Sequence, residues 1–100
     1  MDNNEIRRKI AKLKGIKLVD KSWYYANGVG LSTCRNWPES IAGAWELMEE
    51  MSMSEFVEIR KRDNTWIVDI DNGSRTISPD ADTAPRAISL AYISWKEAQG

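Results

Sequence analysis

The sequence contains no histidine and a single cysteine, Cys34, so two residue types that carry much of enzyme chemistry are almost missing. Without histidine the chain lacks the commonest general base and the commonest metal ligand. Zinc sites built from cysteine and histidine are excluded, Cys34 has no histidine to activate it, and no intrachain disulfide can form. We therefore expect a protein that is not an enzyme, holds no metal or cofactor and resides in a reducing compartment.

The sequence also lacks long apolar runs and an excess of charge of either sign. No apolar run approaches the roughly 20 residues of a membrane span, and 14 Lys and Arg stand against 15 Asp and Glu. Neutralising phosphates needs a basic excess, so general nucleic-acid binding is not expected. The 100 residues, 42% of them hydrophobic, fit one globular domain over residues 1–100, and we expect it in the cytoplasm.

The charges that are present are unevenly distributed. Residues 1–21 hold seven Lys and Arg against three acidic residues, whereas residues 36–59 hold six Glu and no Lys or Arg. One interpretation is two solvated helix faces of opposite sign. The other is a dipolar surface that steers a charged partner or pairs subunits into a homo-oligomer.

Apolar residues at helical spacing predict three helices, over residues 4–13, 38–51 and 84–98. Asn3 or Asn4 is expected to cap the first helix, and Gly15 to end it. The second and third helices each present an apolar stripe to the core, formed by Ile41, Ala44, Trp45 and Met48 and by Ile88, Ala91, Tyr92 and Trp95. Glu46, Glu49 and Glu50 are expected to face away from the first of these stripes.

The remaining segments predict an antiparallel sheet. Residues 16–19 and 23–26 are expected to form short strands, followed by a loop over 28–36. Residues 55–60, 65–70 and 74–78 alternate between apolar and polar and predict a meander with tight turns between its strands. The expected class is α+β, with a mainly antiparallel sheet of three to five strands packed with two or three helices.

Five tryptophans in 100 residues are the strongest positive signal. Trp45, Trp66 and Trp95 fall on predicted core stripes and are expected to be buried. Trp23, Tyr24 and Tyr25 are consecutive, so at least one of them must be exposed or line a cleft, because successive side chains of a strand alternate in direction. Trp37, before Pro38, is expected to be similarly placed. Exposed aromatic side chains stack on bases or anchor protein partners.

Arg86 is the charged residue with the most informative position. It lies in the first turn of the last predicted helix, where a cation is unfavourable unless an anion meets it. Together with Thr83 and the helix start, Arg86 would form a phosphate site. The alternative is an ion pair between Arg86 and Asp80 or Asp82.

Two segments resemble a known family. The sequence IAGAWELMEEM, residues 41–51, and the sequence ADTAPRAISLA, residues 81–91, are similar to two helices of the bacteriophage α-β-α (ABA) sandwich proteins. In that family a meander with a tryptophan-bearing strand lies between them, as Trp66 does here. The order of elements matches over about residues 1–98, although residues 20–36 are shorter than in the family.

The resemblance implies a phage or prophage accessory protein that acts in the infected bacterium. The layout is also similar to the Thoeris anti-defence sponge, which implies binding of a nucleotide immune signal, a cyclic nucleotide or an ADP-ribose-type molecule, without cleavage. In the sponge an arginine of the last helix contacts the ligand, and only Arg86 corresponds to it here. The other candidate ligand-binding residues, Thr83, Trp23, Tyr25 and Trp37, follow from the helix start and the aromatic pattern described above. The alternative is an inhibitor of a bacterial defence protein, comparable to anti-CRISPR proteins, that docks through the acidic residues Glu39, Glu46, Glu49 and Glu50.

Overall fold

Three helices and seven strands make up the described part of the chain. The computed structural model describes residues 2–19, 22–25, 30–31, 37–71 and 76–99, with side chains described for 2–15, 37–71 and 76–99. Cys34 lies outside these residues. In chain order the elements are α1 (Asn3–Leu13), β1 (Ile16–Val19), β2 (Ser22–Tyr25), β3 (Gly30–Leu31), α2 (Ile41–Ser52), β4 (Phe56–Arg62), β5 (Thr65–Asp71), β6 (Thr76–Ile77), β7 (Asp80–Ala81) and α3 (Ala84–Gln99).

The main sheet is the predicted meander, and all of its pairings are antiparallel. Strands β4 and β5 pair over seven positions, from Phe56 opposite Asp71 to Arg62 opposite Thr65. The two-residue turn between them places Asp63 at φ 55, a left-handed conformation that Asp tolerates better than most residues. Strands β6 and β7 pair with β5. The α+β class and the strand number are confirmed, while β7 was not predicted and β6 ends one residue earlier than expected.

The strands β1, β2 and β3 form a separate antiparallel sheet in that order. Strands β1 and β2 agree with the prediction to within one residue. The expected loop over 28–36 is wrong at Gly30–Leu31, which pairs with Trp23 and Tyr24 as β3. Two residues carry too little pattern to be recognised as a strand, and only the pairing with β2 defines it.

The core lies between the main sheet and the helices. Val68 and Ile70 alternate with polar residues on β5, and their face of the sheet is covered by helices. Helix α3 contacts β5, β6 and β7, helix α2 contacts β4 and α3, and helix α1 contacts α3. The predicted α3 stripe of Ile88, Ala91, Tyr92 and Trp95 is fully confirmed as buried.

The two ends of α1 are fixed by local interactions. The carboxylate of Asp2 accepts a 2.8 Å hydrogen bond from the Glu5 N–H, so Asp2 is the N-cap and the expected cap at Asn3 or Asn4 is wrong by one or two positions. Gly15 follows the helix at φ 76 and ends it as predicted. Ile6, Ile10 and Ala11 face the core.

Helix α2 starts later and is rotated relative to the prediction. Ser40 caps it, its Oγ accepting from the Gly43 N–H at 3.3 Å, so Pro38 lies in the preceding turn rather than in the helix. The buried stripe is Gly43, Ala44, Leu47, Met48 and Met51. Trp45 is 51% exposed and Ile41 is 56% exposed, so their predicted burial is wrong. Trp66 is half-buried and packs against the core, with the Lys61 ammonium 5.4 Å from its ring centre.

Candidate functional site

The first candidate site lies at the start of α3. The Thr83 hydroxyl accepts a hydrogen bond from the Arg86 N–H at 3.3 Å, and the Thr83 carbonyl accepts from the Ala87 N–H at 3.0 Å, so Thr83 caps the helix. The Arg86 guanidinium donates to the Asn3 amide oxygen at 2.7 Å, and the Asn3 amide nitrogen donates to Glu39 at 3.0 Å. A series of side-chain hydrogen bonds therefore links the start of α1, the start of α3 and the turn before α2.

This chain of hydrogen bonds gives Arg86 a partner that the sequence did not indicate. The cation lies beside a positive helix end, and the Glu39 carboxylate is held near the same place through Asn3. Both Arg86 and Thr83 already make contacts within the protein. A phosphate at this position would have to compete with Asn3 for the guanidinium.

Trp37 is the one predicted aromatic partner of Arg86 whose side chain the structure describes. Trp37 is 1% exposed, so its predicted exposure is wrong. The turn over residues 37–39 directs Trp37 and Pro38 into the core, and the indole N–H of Trp37 has no hydrogen-bond partner in the described part of the chain. Trp23 and Tyr25 lie on β2, and their side chains fall outside the described ones.

The second cluster surrounds Glu50, which was expected to face solvent. Its carboxylate accepts hydrogen bonds from the Tyr92 hydroxyl at 2.6 Å and from Lys14 at 3.0 Å, and Lys96 lies at 3.5 Å. The predicted outward orientation of Glu50 is therefore wrong, because its helix position turns it toward α3. Lys14 and Lys96 also lie 5.0 and 5.9 Å from the centre of the Tyr92 ring.

The environment of this cluster shifts two pKa values in opposite directions. Partial burial alone would raise the pKa of Glu50, but the hydrogen bonds from Tyr92 and Lys14 and the charges of Lys14 and Lys96 outweigh burial and lower it. Burial, and then the hydrogen bond to Glu50, raise the pKa of Tyr92 far above its usual value. The carboxylate and the phenol therefore stay in the states that suit their hydrogen bond, and the cluster joins α1, α2 and α3.

Two basic residues of the segment 1–21 are paired within the chain, one of them with the acidic segment 36–59 and the other with α3. Lys14 pairs with Glu50, and Lys9 pairs with Glu97 at 2.9 Å. Arg8 and Lys12 remain exposed on α1 and line, with Glu5 and Lys9, an open depression of about 370 Å³. These ion pairs within the chain leave fewer unpaired charges for the dipolar surface that the sequence predicted.

The third candidate is the outer face of α2, formed by Ile41, Trp45 and Glu49. All three side chains are exposed and follow one another at intervals of four residues, which places them along one side of the helix. Glu46 is half-buried and lies at the margin of this face. Two of the four large apolar side chains that are exposed in the described residues, Ile41 and Trp45, belong to the face.

The described residues give no support for a metal site or a membrane span. In residues 2–19, 22–25, 30–31, 37–71 and 76–99, no group of three acidic or cysteine side chains could hold a metal ion. No helix in the same residues is long and apolar enough to cross a bilayer.

The fold defines a small α+β protein in which helices cover the main antiparallel sheet. Comparison with known proteins identifies the family to which the chain belongs. The sequence model of the phage ABA sandwich domain matches residues 8–93, so this chain belongs to the phage ABA sandwich domain family, as the two helix motifs indicated. A phage protein from Bacillus cereus ATCC 14579, with a 2.0 Å crystal structure, superimposes with a TM-score of 0.76. The match covers 93% of this chain and 90% of that chain at 23% identity, which shows a shared fold. No functionally curated protein matches this sequence.

Proposed function

We propose that this phage-family protein acts by binding another protein, without catalysis, through the outer face of α2. The observation that carries the proposal is Trp45, half exposed on a helix whose opposite side is core. Exposed tryptophans are over-represented among the residues that dominate binding energy at protein interfaces. No described neighbour covers Trp45 on its exposed side, and a partner would gain by covering it.

The composition of the face indicates the chemistry of the partner. A Trp buries about 150–250 Å² when fully covered, so covering the exposed half of Trp45 removes roughly 100 Å² from water. At about 25 cal/mol per Å² this contributes about 2–3 kcal/mol to binding. Glu46 and Glu49 beside it favour a partner surface that is apolar at its centre and carries Lys or Arg at its rim.

This proposal keeps part of the acidic docking surface inferred from the sequence and changes its composition. Glu50 is engaged by Tyr92 and Lys14, and Glu39 by Asn3, whereas Glu49 stays on the exposed face beside Trp45. Membership of a phage family makes a bacterial defence complex the first class of partner to test. The phage protein would then inhibit that complex by covering one of its basic surfaces.

Binding of a nucleotide immune signal stays a prediction from the sequence, as does the likeness to the Thoeris anti-defence sponge. Arg86 and Thr83 lie together at the start of α3, which supports it. The contact of Arg86 with Asn3 and the burial of Trp37 weigh against it. A thermal-shift series with cyclic nucleotides and ADP-ribose isomers tests it directly, since a ligand at 100 times its Kd raises stability by about 2.7 kcal/mol.

The docking proposal is tested by Trp45→Ser, with Met53→Ser as the matched control. Met53 is the more exposed apolar side chain, at 86%, and it lies at the C-terminal cap of α2, eight positions and about 12 Å along the helix axis from Trp45. Phage protection is first measured in strains that each carry one defence system, and binding is then measured with the purified complex of the protected system. Trp45→Ser should raise Kd about 30-fold, the equivalent of about 2 kcal/mol, and Met53→Ser by less than about 3-fold.

The result that overturns the proposal is full protection by Trp45→Ser. Loss of protection by both variants equally would also contradict it, because the effect would then not be specific to the face. Both variants must keep the melting temperature of the natural sequence, which exposed positions of this kind should do.

A further inference from the structure

Among the described residues, no strand pairs with the outer edge of β4, the last strand on one side of the main sheet. In the part of the chain that the structure describes, β4 pairs with β5, and β5 in turn pairs with β6 and β7 on its other side. Strand β4 is seven residues long and carries Phe56, which is 70% exposed. An edge strand presents a row of backbone N–H and C=O groups to any strand that can align with it.

We propose that a second copy of this chain pairs with that edge, β4 against β4, around a twofold axis that passes beside Ile59. A twofold axis perpendicular to the sheet makes the two strands antiparallel and keeps the helices of both copies on the same face. The joined sheet then contains the four strands of each copy. This inference rests on the β4 edge and its charges and is independent of the docking role of α2.

The side chains of β4 match themselves in this register. On the face away from the helices, Glu58 lies opposite Arg60 of the second copy, and Phe56 lies opposite Arg62 of the second copy. Both contacts occur twice because of the symmetry. Opposite charges and cation–aromatic pairs directly across two strands are stabilising. On the helix face, Ile59 meets Ile59 of the second copy.

Of the three registers with the axis at Glu58, Ile59 or Arg60, only the one at Ile59 pairs Glu58 with a basic residue without placing like charges opposite each other. The second copy can be shifted along β4 without moving its side chains to the other face of the sheet. The twofold axis then passes beside Glu58 or Arg60, and that residue lies opposite the same residue of the second copy. Like charges directly opposite each other are destabilising. Three consecutive basic residues, Arg60, Lys61 and Arg62, would disfavour pairing of this edge with an unrelated strand. In the register with the axis beside Ile59, they lie opposite Glu58, Val57 and Phe56 of the second copy.

Within one chain, Glu58 has charged neighbours of both signs. It lies directly opposite Asp69 on β5, two like charges on one face of the sheet, and the charge of Arg60 on its own strand offsets part of this repulsion. Arg60 donates to Asp69 at 2.8 Å, and hydrogen bonds from Ser78 and Arg60 lower the pKa of Asp69. A second copy would bring its own Arg60 directly opposite Glu58, which gives Glu58 a basic neighbour across the new strand pair.

The variant Glu58→Lys separates folding from pairing. Within one chain it turns the repulsion from Asp69 into an attraction and the attraction to Arg60 into a repulsion, so the free energy of unfolding at low concentration should change little. Between chains it places a lysine opposite Arg60 of the second copy, twice per dimer, and should raise the dimer Kd about 10- to 100-fold. Glu49→Lys makes the same charge change on α2 and should leave the dimer Kd within about 3-fold.

Sedimentation velocity across concentration measures Kd for the natural sequence and both variants, and amide hydrogen exchange locates the contact. Alternate amides of β4 should exchange more slowly as the protein is concentrated. A chain that remains monomeric to about 1 mM overturns the inference. So does a dimer that Glu58→Lys leaves intact, or one whose β4 amides are unprotected. If Trp45→Ser loses partner binding but keeps a normal dimer Kd, the result supports docking through α2 and shows that dimer formation does not depend on that face.

Discussion

Removing the Tyr92 hydroxyl should destabilise the fold through Glu50 rather than through a cavity. Tyr92→Phe keeps the ring, which is buried between Lys14 and Lys96, and deletes one atom that donates to the Glu50 carboxylate at 2.6 Å. Hydrogen bonds to charged groups contribute about 1.5–3 kcal/mol when they are buried. The Glu50 side chain is 36% exposed, so solvent screens the interaction and we expect the lower end, about 1.5 kcal/mol.

The loss should be measurable both chemically and thermally. For a domain of this size each kcal/mol corresponds to about 4–8 °C in Tm, so Tyr92→Phe should lower Tm by about 6–12 °C. Urea unfolding should show a lower midpoint at an unchanged slope, because the folded state keeps its buried surface. Glu50→Gln removes the charge from the same hydrogen bond and also weakens the contacts with the two lysines.

A double-mutant cycle attributes the effect to the pair. Tyr92→Phe and Glu50→Gln together should lose less than the sum of the single losses, with a coupling free energy of about 1 kcal/mol. A coupling below about 0.3 kcal/mol, the range seen for independent sites, would refute the reasoning. The loss in Tyr92→Phe would then come from altered packing.

The pH dependence gives a second check with a defined sign. The pKa of Glu50 is lowered on folding, so its contribution is present above the unfolded pKa of about 4.3 and is lost as pH falls through the folded value. The pKa of Tyr92 is raised, so its contribution is present below about 10 and is lost at higher pH. The stability difference between the natural sequence and the Tyr92→Phe variant should therefore be largest near neutral pH and shrink on both sides.

Two further substitutions test the ends of the helices. Arg86→Ala removes the bond to Asn3 and should cost about 1 kcal/mol of stability, measured by urea unfolding. If Arg86 also holds a phosphate, the same variant should lose about 10- to 150-fold in ligand affinity, and unchanged binding and phage protection would exclude that role. Gly15→Ala should cost about 1–2 kcal/mol because φ is 76 at this position. Gly15→Asn should cost less, since Asn tolerates left-handed conformations, and equal losses would contradict this explanation.

The elements that could be predicted from the sequence are those with a strong local period. In β4 and β5, Val57 and Ile59 and, across from them, Val68 and Ile70 alternate with charged residues for part of each strand, and with the two-residue turn this pattern favours the observed register. Helix α3 buries the stripe that its spacing indicates, with Tyr92 and Trp95 in the core. In these segments the local pattern and the tertiary packing agree.

Helix α2 shows where the period alone is insufficient. Apolar residues occupy more than half of its circumference, so stripes centred on Trp45 or on Leu47 both fit the spacing. Packing on α3 and β4 buries the second stripe, which includes the small residues Gly43 and Ala44. Nothing local distinguishes the two, and the same uncertainty hides the role of Glu50, whose partners Lys14 and Tyr92 are 36 and 42 positions away.

The rotation of α2 gives the helix two unlike sides, and their placement connects the polar cluster with the open margin of the sheet. Glu50 faces α3, and Ile41, nine positions earlier and about two and a half turns away, faces the opposite side. Because α3 lies over β5 and α2 over β4, moving from α3 past α2 leads to the margin where β4 ends the sheet. The side of α2 that carries Glu50 is thus joined to α3 by the polar cluster, and the side with Ile41 and Trp45 faces away from α3. The outer face of α2 and the edge of β4 are the two surfaces that we propose to meet other chains.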